Sequence, residues 1–432
     1  MVPPDIVRAA YAELVVTDLD RARRFWVDLL GFVVTRASQK ALFLRGYDEL
    51  THHNLILTEG PEPAAARLAF RVRTAADLDL AEAFYAALGA RTARLPAGVT
   101  PGVGESVRAE DPLGFTVEFF FAADHPQRLQ QRYDLRRGAE PARLDHFNIV
   151  VPDVRAAYEY YSSLGFGLSE TIEDGDTLYA AWMFRKQTVH DVAFTGGDGP
   201  RVHHLGFFAH ESHQVLRICD ILGSLGEEAR IERGPGRHGV SNAFYVYLRD
   251  PDGHRVELYT SDYFTGDPDH PVLRWSVRDP RRRDFWGHPV IPSWYSEASA
   301  VLDLDGRPRP LIPEQQPAEV RVGADGFTRL RTPPPEARTG LGRSCRLLRP
   351  AREVVLGMRR EAHHEVRLGG GGGAGDGGGD RRPVMDEGAR GCGRLTGEDH
   401  GGERGGDEQG AGEGADGLGH GAGPFSDVDR VA

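Results

Sequence analysis

Cysteine is scarce in this chain of 432 residues. The three cysteines, Cys219, Cys345 and Cys392, are odd in number and have neither disulfide-type nor zinc-type spacing, so a disulfide framework is excluded. No run of about 18 apolar residues occurs, which predicts that no helix crosses a membrane. The first residues lack a basic stretch followed by an apolar one, so we expect no secretory signal and a cytoplasmic location.

A basic excess is also absent. The formal net charge is −12 at pH 7 and no basic stripe is present, so we expect no nucleic-acid partner. Lysine contributes only two of the 52 basic residues, Lys40 and Lys186, an arginine bias typical of GC-rich coding DNA. The length is sufficient for two or three domains with ample core.

The body of the chain contains an internal repeat, in which residues 11–121 align with residues 146–260. Four landmarks occur in the same order at a nearly constant offset, and a repeat of this kind must be recognised before the fold is predicted. The aligned strings are LVVTDLDRARRFWVDLLGF with IVVPDVRAAYEYYSSLGF, THHNLILTEG with TVHDVAFTGG, RLAFRV with HLGFFA, and DPLGFTVEFF with DPDGHRVELY.

Each half of the repeat divides again, because a strand–helix–strands pattern restarts near Arg67 and near His204. The segment 211–226 has apolar residues at helical spacing and ends at a glycine, which predicts a helix. The sequence therefore predicts an α+β fold of four βαβββ modules paired into two domains. We predict an N-terminal domain at 5–125, a C-terminal domain at 140–265, an extension at 266–327 and a low-complexity tail at 328–432.

Three residues in strand-like runs of the second half form a metal-type ligand set: His146, His204 and Glu257. Two imidazoles and one carboxylate on one side of a metal leave the other side open, as in non-haem Fe(II) sites that bind substrate and O₂ together. The histidines are about one module apart, so we expect them on equivalent first strands, with the glutamate on a last strand. All three would then face the same side of one cupped sheet.

The first half lacks this ligand set, so we interpret it as a degenerate copy retained for packing and assembly. His52 and His53 are interpreted as structural. The aligned residues are Tyr11 for His146, Arg67 for His204 and Glu118 for Glu257.

The chain resembles the vicinal oxygen chelate superfamily, and within it the type I extradiol ring-cleaving dioxygenases, above all those that act on homoprotocatechuate (3,4-dihydroxyphenylacetate). The resemblance covers about 5–325 and lies in LDHFNIV, YAAWMFRKQTVHD, GPRVHHLGF, IERGPGRHGVSNAFYVYLRDPDGHRVELYT and RRRDFWGHPV. It implies that His146, His204 and Glu257 bind Fe(II), or alternatively Mn(II), in a homotetramer. It further implies cleavage by O₂ next to the two hydroxyls, giving 5-carboxymethyl-2-hydroxymuconate semialdehyde in 4-hydroxyphenylacetate catabolism.

The resemblance also implies roles for residues around the metal. His190, read as a strand histidine, is the acid–base residue, and an imidazole near its ordinary pKa can both take and return a proton. Asn148 lies two residues after the first ligand, hence on the same strand face, and would be near the O₂ site. Tyr247 would contact a substrate oxygen, and His238 would lie in a glycine-rich loop at the mouth.

Arginines offer a site for the substrate's acetate group, because a guanidinium suits a carboxylate. Arg233 and the run 281–283 are candidates, with a solvated face as the alternative reading of the run. By resemblance, Arg233, Arg283 and Trp182 would line that side of the site. A catecholic arylacetate and O₂ are therefore the expected partners.

Other functions remain open at this point. The alternatives are a dioxygenase for another catechol, a 4-hydroxyphenylpyruvate dioxygenase, a glyoxalase-like isomerase and a non-catalytic binding protein of the same fold. The string around His190 speaks against the hydroxyphenylpyruvate enzyme, and the intact ligand set speaks against the binding protein.

The tail has a different composition. Of the 54 glycines, 24 lie between Gly369 and Ala432, and Phe425 is the only aromatic residue there. Such a composition forms no core and predicts disorder. Out-of-frame translation of GC-rich DNA after a frameshift near 326–332 gives this mixture, and a genuine flexible tail is the alternative.

Overall fold

The computed structural model describes residues 1–317 and the backbone of two short paired strands beyond them, β19 (Arg321–Val322) and β20 (Thr328–Arg329). The described residues all lie within one compact unit. The prediction for the tail at 328–432 therefore falls almost entirely outside the described residues. Among these residues no helix is long and apolar enough to span a membrane.

The first half of the repeat forms an eight-stranded sheet packed against helical segments, among them a π-helix at Arg24–Leu29. Its elements are β1 (Ile6–Val16), α1 (Leu19–Arg23), β2 (Val33–Ala37), β3 (Ala41–Arg45), β4 (Leu55–Glu59), β5 (Ala64–Val72), α2 (Ala76–Ala87), β6 (Thr92–Leu95), β7 (Ser106–Glu110) and β8 (Thr116–Phe120). The strands lie in the order β2-β3-β4-β1-β5-β8-β7-β6. Central strand β1 pairs parallel with β4 and antiparallel with β5.

The second half repeats this arrangement. Its elements are β9 (Arg143–Val151), α3 (Val154–Ser163), β10 (Gly167–Asp174), β11 (Thr177–Phe184), β12 (Val192–Gly196), β13 (Arg201–Phe208), α4 (Ser212–Ser224), β14 (Ile231–Arg237), β15 (Phe244–Arg249) and β16 (Arg255–Thr260). The order β14-β15-β16-β13-β9-β12-β11-β10 is that of the first sheet, read from the opposite edge. The prediction of four βαβββ modules in two domains is confirmed.

Equivalent sequence signals build equivalent elements in the two halves. Asp18 and Asp153 each accept a hydrogen bond from a backbone N–H in the first turn of the following helix, which caps α1 and α3. Gly31 and Gly165, in the two Leu-Gly-Phe strings, have φ values of +91° and +82°, a conformation that costs glycine little. The helix predicted at 211–226 is α4, in which Cys219 is only partly buried.

The helix-covered faces of both sheets share one hydrophobic core. The ring of Phe70 packs edge-on against Phe147 with centroids 5.7 Å apart, and the buried hydroxyls of Tyr85 and Tyr160 form a hydrogen bond. Truncating a buried phenylalanine in such a core costs about 3–5 kcal/mol. The first domain therefore stabilises the second one directly.

The extension after β16 covers the edge of the second sheet. It contains β17 (Leu273–Ser276), which pairs parallel with β10, α5 (Ser293–Ser296), and β18 (Ser299–Ala300), which pairs with β13. Glu170, buried in β10, accepts hydrogen bonds from Trp275 Nε1 at 2.8 Å, Tyr263 OH at 2.6 Å and the Ser241 backbone N–H at 2.6 Å. One carboxylate thus fastens the extension and the 238–243 loop to the sheet.

Candidate metal centre

Three strands of the second sheet bring His146, His204 and Glu257 to one point. His146 lies in β9, His204 in the adjacent β13 and Glu257 in β16, and all three are buried. Nε2 of His146 is 3.2 Å from Nε2 of His204 and 3.0 Å from Oε2 of Glu257, and His204 Nε2 is 3.2 Å from that oxygen. Gly206 pairs with His146 on one side and with Glu257 on the other.

The hydrogen bonds behind His204 fix which of its nitrogens carries the proton. His203 Nε2 lies 2.9 Å from the Trp294 carbonyl, which can only accept, so His203 donates from Nε2. Burial lowers the pKa of His203 well below its ordinary value, so the ring is neutral and its Nδ1 is an acceptor. His204 Nδ1, at 2.7 Å, therefore donates to it, and the lone pair of His204 Nε2 faces Glu257.

His146 has the same orientation for a different reason. Its Nδ1 lies 3.2 Å from the Asp145 carboxylate, so the Nδ1 proton is held there and Nε2 offers its lone pair. A carboxylate behind a histidine is the usual support of a metal ligand. Two lone pairs and one carboxylate oxygen thus converge, and this donor set fits a divalent iron or manganese ion.

The ionisation of the three groups agrees with that fit. Burial lowers the pKa of His204 to about 4, which leaves it neutral at pH 7. Burial would raise the pKa of Glu257, but its close contacts with the imidazoles of His146, His204 and His238 hold that pKa well below its usual range. Burial would lower the pKa of His146, but its contacts with the Asp145 and Glu257 carboxylates raise it, and a metal ion at Nε2 would take the place of a proton there.

His190 lies beside the triad, in the loop just before β12 and not in a strand as expected. Its ring centroid is 3.9 Å from that of His146, and its side chain is buried. Burial lowers its pKa well below 6.5, so the imidazole is neutral at pH 7. Among the described residues its Nδ1 has no hydrogen-bond partner.

Asn148 lies two residues beyond His146 on the same face of β9 and also lines the pocket, as predicted. Its Oδ1 accepts a hydrogen bond from Thr195 Oγ1 at 3.1 Å. The carbonyl end of the amide is therefore tied to β12, and the NH₂ end is left to act as a donor.

Tyr247 and His238 form a hydrogen-bonded pair at the pocket wall. His238 Nδ1 lies 2.6 Å from the Arg283 carbonyl and must donate to it, so Nε2 is an acceptor for the Tyr247 hydroxyl at 2.8 Å. Burial, together with Glu257, raises the pKa of Tyr247 well above 10, so the phenol keeps its proton. Tyr247 is paired with Glu257 across β15 and β16.

The predicted substrate-binding residues divide into two groups. Arg283 and Trp182 line the pocket, whereas Arg233 is not among its lining residues. Arg233 donates from Nη2 to the Arg283 carbonyl at 2.7 Å, and its guanidinium lies 4.5 Å from the centre of the Trp294 ring. Direct contact of Arg233 with substrate stays a prediction.

Sequence reasoning missed several residues that support or line the site. Two of them, Asp145 and His203, directly precede the candidate ligands His146 and His204 in the sequence, and this adjacency was a usable signal. Side-chain alternation on a strand argued against His203, yet a bulge between Val202 and His204 breaks the alternation and brings the two rings together. The missed residues are Asp145, Thr195, His203, Tyr259 and Trp294.

The equivalent position in the first sheet contains an ion-pair cluster. Arg67 lies 2.6 Å from a Glu13 oxygen and 3.1 Å from Glu118, which also binds Arg108 at 2.6 Å. In the first sheet Glu13 is paired with Arg67, and at the equivalent place in the second sheet Asn148 is paired with His204. The Arg67 guanidinium therefore takes the position of the His204 ring. The interpretation of this half as lacking the ligand set is consistent with the cluster.

Comparison with known proteins identifies a matching family model and similar solved structures. The family model described as Glyoxalase/Bleomycin resistance protein/Dioxygenase superfamily matches residues 8–119 and 143–258. The crystal structure of homoprotocatechuate 2,3-dioxygenase from Arthrobacter globiformis is 58% identical and covers 72% of this chain and 97% of that chain, with a TM-score of 0.71.

Two further relatives extend the comparison. The homoprotocatechuate 2,3-dioxygenase of Brevibacterium fuscum, in an anaerobic complex with 3,4-dihydroxyphenylacetate, is 56% identical over 72% of this chain and 98% of that chain, with a TM-score of 0.71. A manganese-dependent 2,3-dihydroxybiphenyl 1,2-dioxygenase from Geobacillus genomosp. 3 is 27% identical over 302 residues, 66% of this chain and 95% of the relative.

Proposed function

The chain belongs to the Glyoxalase/Bleomycin resistance protein/Dioxygenase superfamily, and we propose that it is an extradiol dioxygenase that opens the ring of 3,4-dihydroxyphenylacetate with O₂. The ring breaks beside the two hydroxyl-bearing carbons, and both oxygen atoms enter the product, 5-carboxymethyl-2-hydroxymuconate semialdehyde. The proposal rests on the convergence of two Nε2 lone pairs and the Glu257 carboxylate next to the neutral imidazole of His190. The substrate named for the similar Brevibacterium enzyme supports this choice of catechol.

His146, His204 and Glu257 would hold the metal. When bound, the metal supplies Lewis acidity toward the catechol oxygens and a path for electrons from the ring to O₂. We propose Fe(II), and Mn(II) is the alternative because the same ligands accept both ions.

His190 moves the proton in this proposal. Its neutral imidazole takes a proton from a catechol hydroxyl as the substrate binds and returns it to the oxygen that becomes part of the product. The lowered pKa keeps the ring unprotonated at neutral pH until the substrate hydroxyl is bound, and burial keeps bulk water from competing.

Tyr247 and Asn148 orient the oxygen atoms near the metal. Because the Tyr247 proton is directed to His238, the lone pairs of the phenol oxygen can accept from a substrate hydroxyl. The Asn148 NH₂ group offers a donor from β9, two residues beyond His146. Apolar and aromatic walls that exclude water are formed by Trp182, Val240, Ala243, Tyr259 and Trp294.

The acetate group would lie toward Arg283 and Trp294. Trp294 lines the pocket, and its buried Nε1–H has no acceptor among the described residues, a group that a substrate carboxylate would satisfy. Arg283 supplies a guanidinium at the same wall, and Arg233 adds positive charge behind the Trp294 ring. A catechol without a carboxylate would leave this donor unpaired.

The test is anaerobic loading with Fe(II), or separately with Mn(II), followed by 3,4-dihydroxyphenylacetate and O₂. We expect a yellow ring-opened product with one O₂ consumed per substrate. Plain catechol and 2,3-dihydroxybiphenyl serve as matched substrates, and we expect lower kcat/KM for both. Equal kcat/KM for plain catechol would overturn the substrate assignment, and no turnover by folded, metal-loaded protein would overturn the activity.

The assembly and location are parts of the same proposal. We propose a homotetramer and a cytoplasmic location. Light scattering of the purified protein tests the first, and a monomer at micromolar concentration would contradict it.

A further inference from the structure

Lys186 is one of only two lysines among 52 basic residues, and it is largely buried beside His190. It follows β11, in the loop that leads to His190 and β12. The other lysine, Lys40, is exposed in the turn between β2 and β3. The position of Lys186 is therefore unlike that of an ordinary solvated cation.

The Lys186 ammonium has three close acceptors, and the Asp145 carboxylate lies farther away, with Oδ1 3.6 Å from Nζ. Its Nζ donates to the backbone carbonyl of Asp145 at 2.7 Å and to the backbone carbonyl of His190, and it lies 3.2 Å from Oδ1 of Asp191. An ammonium has three N–H donors in a compact tetrahedral arrangement, which these acceptors use completely. A planar arginine fork is larger and presents its donors in one plane, so it does not match this arrangement.

The Asp191 carboxylate is itself held in place by backbone hydrogen bonds. Asp191 is fully buried, its Oδ1 accepts from the backbone N–H of Ala9 in β1 at 2.8 Å, and its Oδ2 accepts from Arg185 N at 2.6 Å and Lys186 N at 3.0 Å. The first domain thus anchors the loop that carries His190.

His190 depends on this support because, among the described residues, its ring Nδ1 has no hydrogen-bond partner. A catalytic histidine is commonly oriented through a hydrogen bond on its second nitrogen. Here the orientation comes from the backbone of residue 190 and from packing against His146. We propose that Lys186 is a positioning residue that holds the acid–base histidine at the metal site, an inference that rests on the function proposed for His190.

The experiment is a double-mutant cycle of Lys186→Met and His190→Phe in the metal-loaded enzyme. Methionine retains the length of the side chain and removes the charge and the donors. Because Lys186 also contacts Asp145, which supports His146, the variants are compared at equal metal content. At that content we expect Lys186→Met to lower kcat about 10- to 100-fold while anaerobic substrate binding stays at the parent level, and Lys186→Arg not to restore kcat. Because Lys186 acts through His190, the double variant should be no slower than His190→Phe alone.

Lys40→Met is the matched control and should keep the parent kcat. A crystal structure of Lys186→Met should show the His190 ring displaced from His146, a change that a loss of stability alone would not produce. Asp191→Asn retains an acceptor but loses the charge, and it serves as a milder change if Lys186→Met does not fold. The losses of kcat from Asp191→Asn and His190→Phe should likewise not multiply in the double variant.

Two results would overturn the inference. One is a double variant whose fold-loss of kcat equals the product of the two single losses. The other is a Lys186→Met variant that keeps the parent kcat and an unmoved His190 ring. If His190→Phe itself kept the parent kcat, the proposed role of His190 would fail first. The two failures are therefore distinguishable.

Discussion

Gly206 lies opposite His146 in the sheet so closely that a Cβ on it would come within 2.1 Å of Cε1 and 2.3 Å of Nε2 of the His146 ring. The ring is tethered through Nδ1 to Asp145 and cannot move away without breaking that bond. Glycine is therefore required at this position for Nε2 of His146 to face Glu257.

Gly206→Ala should lower metal affinity at least about 10-fold, because the displaced ligand no longer converges with the others. Competition with a chelator measures this affinity. Gly223→Ala in helix α4, where no atom lies within 4 Å of the added Cβ, is the control. It should leave affinity unchanged and stabilise the fold by about 0.5–1 kcal/mol.

His203→Phe should lower metal affinity about 10- to 100-fold by removing the acceptor that holds the proton on His204 Nδ1. The ring shape is retained, so the expected loss comes from the hydrogen bond. Metal titration measures it, with exposed His213→Phe as the control. Unchanged affinity in both variants would mean that His204 does not need this support.

His190→Phe should reduce kcat by about 10²- to 10⁴-fold, the range for loss of a general acid–base group. Metal content and anaerobic binding of 3,4-dihydroxyphenylacetate should remain, since His190 is outside the triad. Steady-state kinetics and a binding titration separate the two quantities. An unchanged kcat would remove the proposed proton transfer from the mechanism.

Arg67→Met should destabilise the protein by about 3–5 kcal/mol, because Glu118 is fully buried and would lose one of its two cationic partners. Urea unfolding measures the free energy. Arg73→Met, which breaks the exposed pair with Asp5, should cost less than about 1 kcal/mol. Both variants should bind metal like the parent, and a loss of metal from folded Arg67→Met would contradict the separation of the two sites.

Asp111 should make stability fall as pH rises toward 7. Burial raises its pKa from 3.8 to about 7, although its carboxylate accepts the backbone N–H groups of Leu113 and Phe115. Between these two pKa values the folded state binds more protons than the unfolded state, so the free energy of unfolding decreases with pH, by at most about 4 kcal/mol in total.

Asp111→Asn should remove this contribution, because the amide can still accept both backbone hydrogen bonds and does not ionise. Urea unfolding of parent and variant at pH 5, 6, 7 and 8 gives the comparison. The variant's advantage should grow from pH 5 to pH 8, and a constant difference would show that Asp111 does not titrate in this range.

Much of the fold was readable because it depends on local patterns that the chain repeats. The aligned strings that contain Asp18 and Asp153 form a strand, a helix cap and a helix in both halves, and the two sheets have the same strand order. Spacing and alternation placed His146, His204 and Glu257 on one face. These signals survive in a sequence because each depends on a few neighbouring residues.

The sequence by itself determined the architecture and the ligand set, since module order and side-chain alternation decide which strands meet and which residues face inward. Only the tertiary structure decided the support of that set. Contacts between distant segments produce three features of the site. They are the bulge beside His203, the hydrogen bond from Lys186 to the His190 carbonyl, and the position of Arg233 outside the pocket wall. Such contacts depend on angles and distances of a few ångströms, which no local pattern encodes.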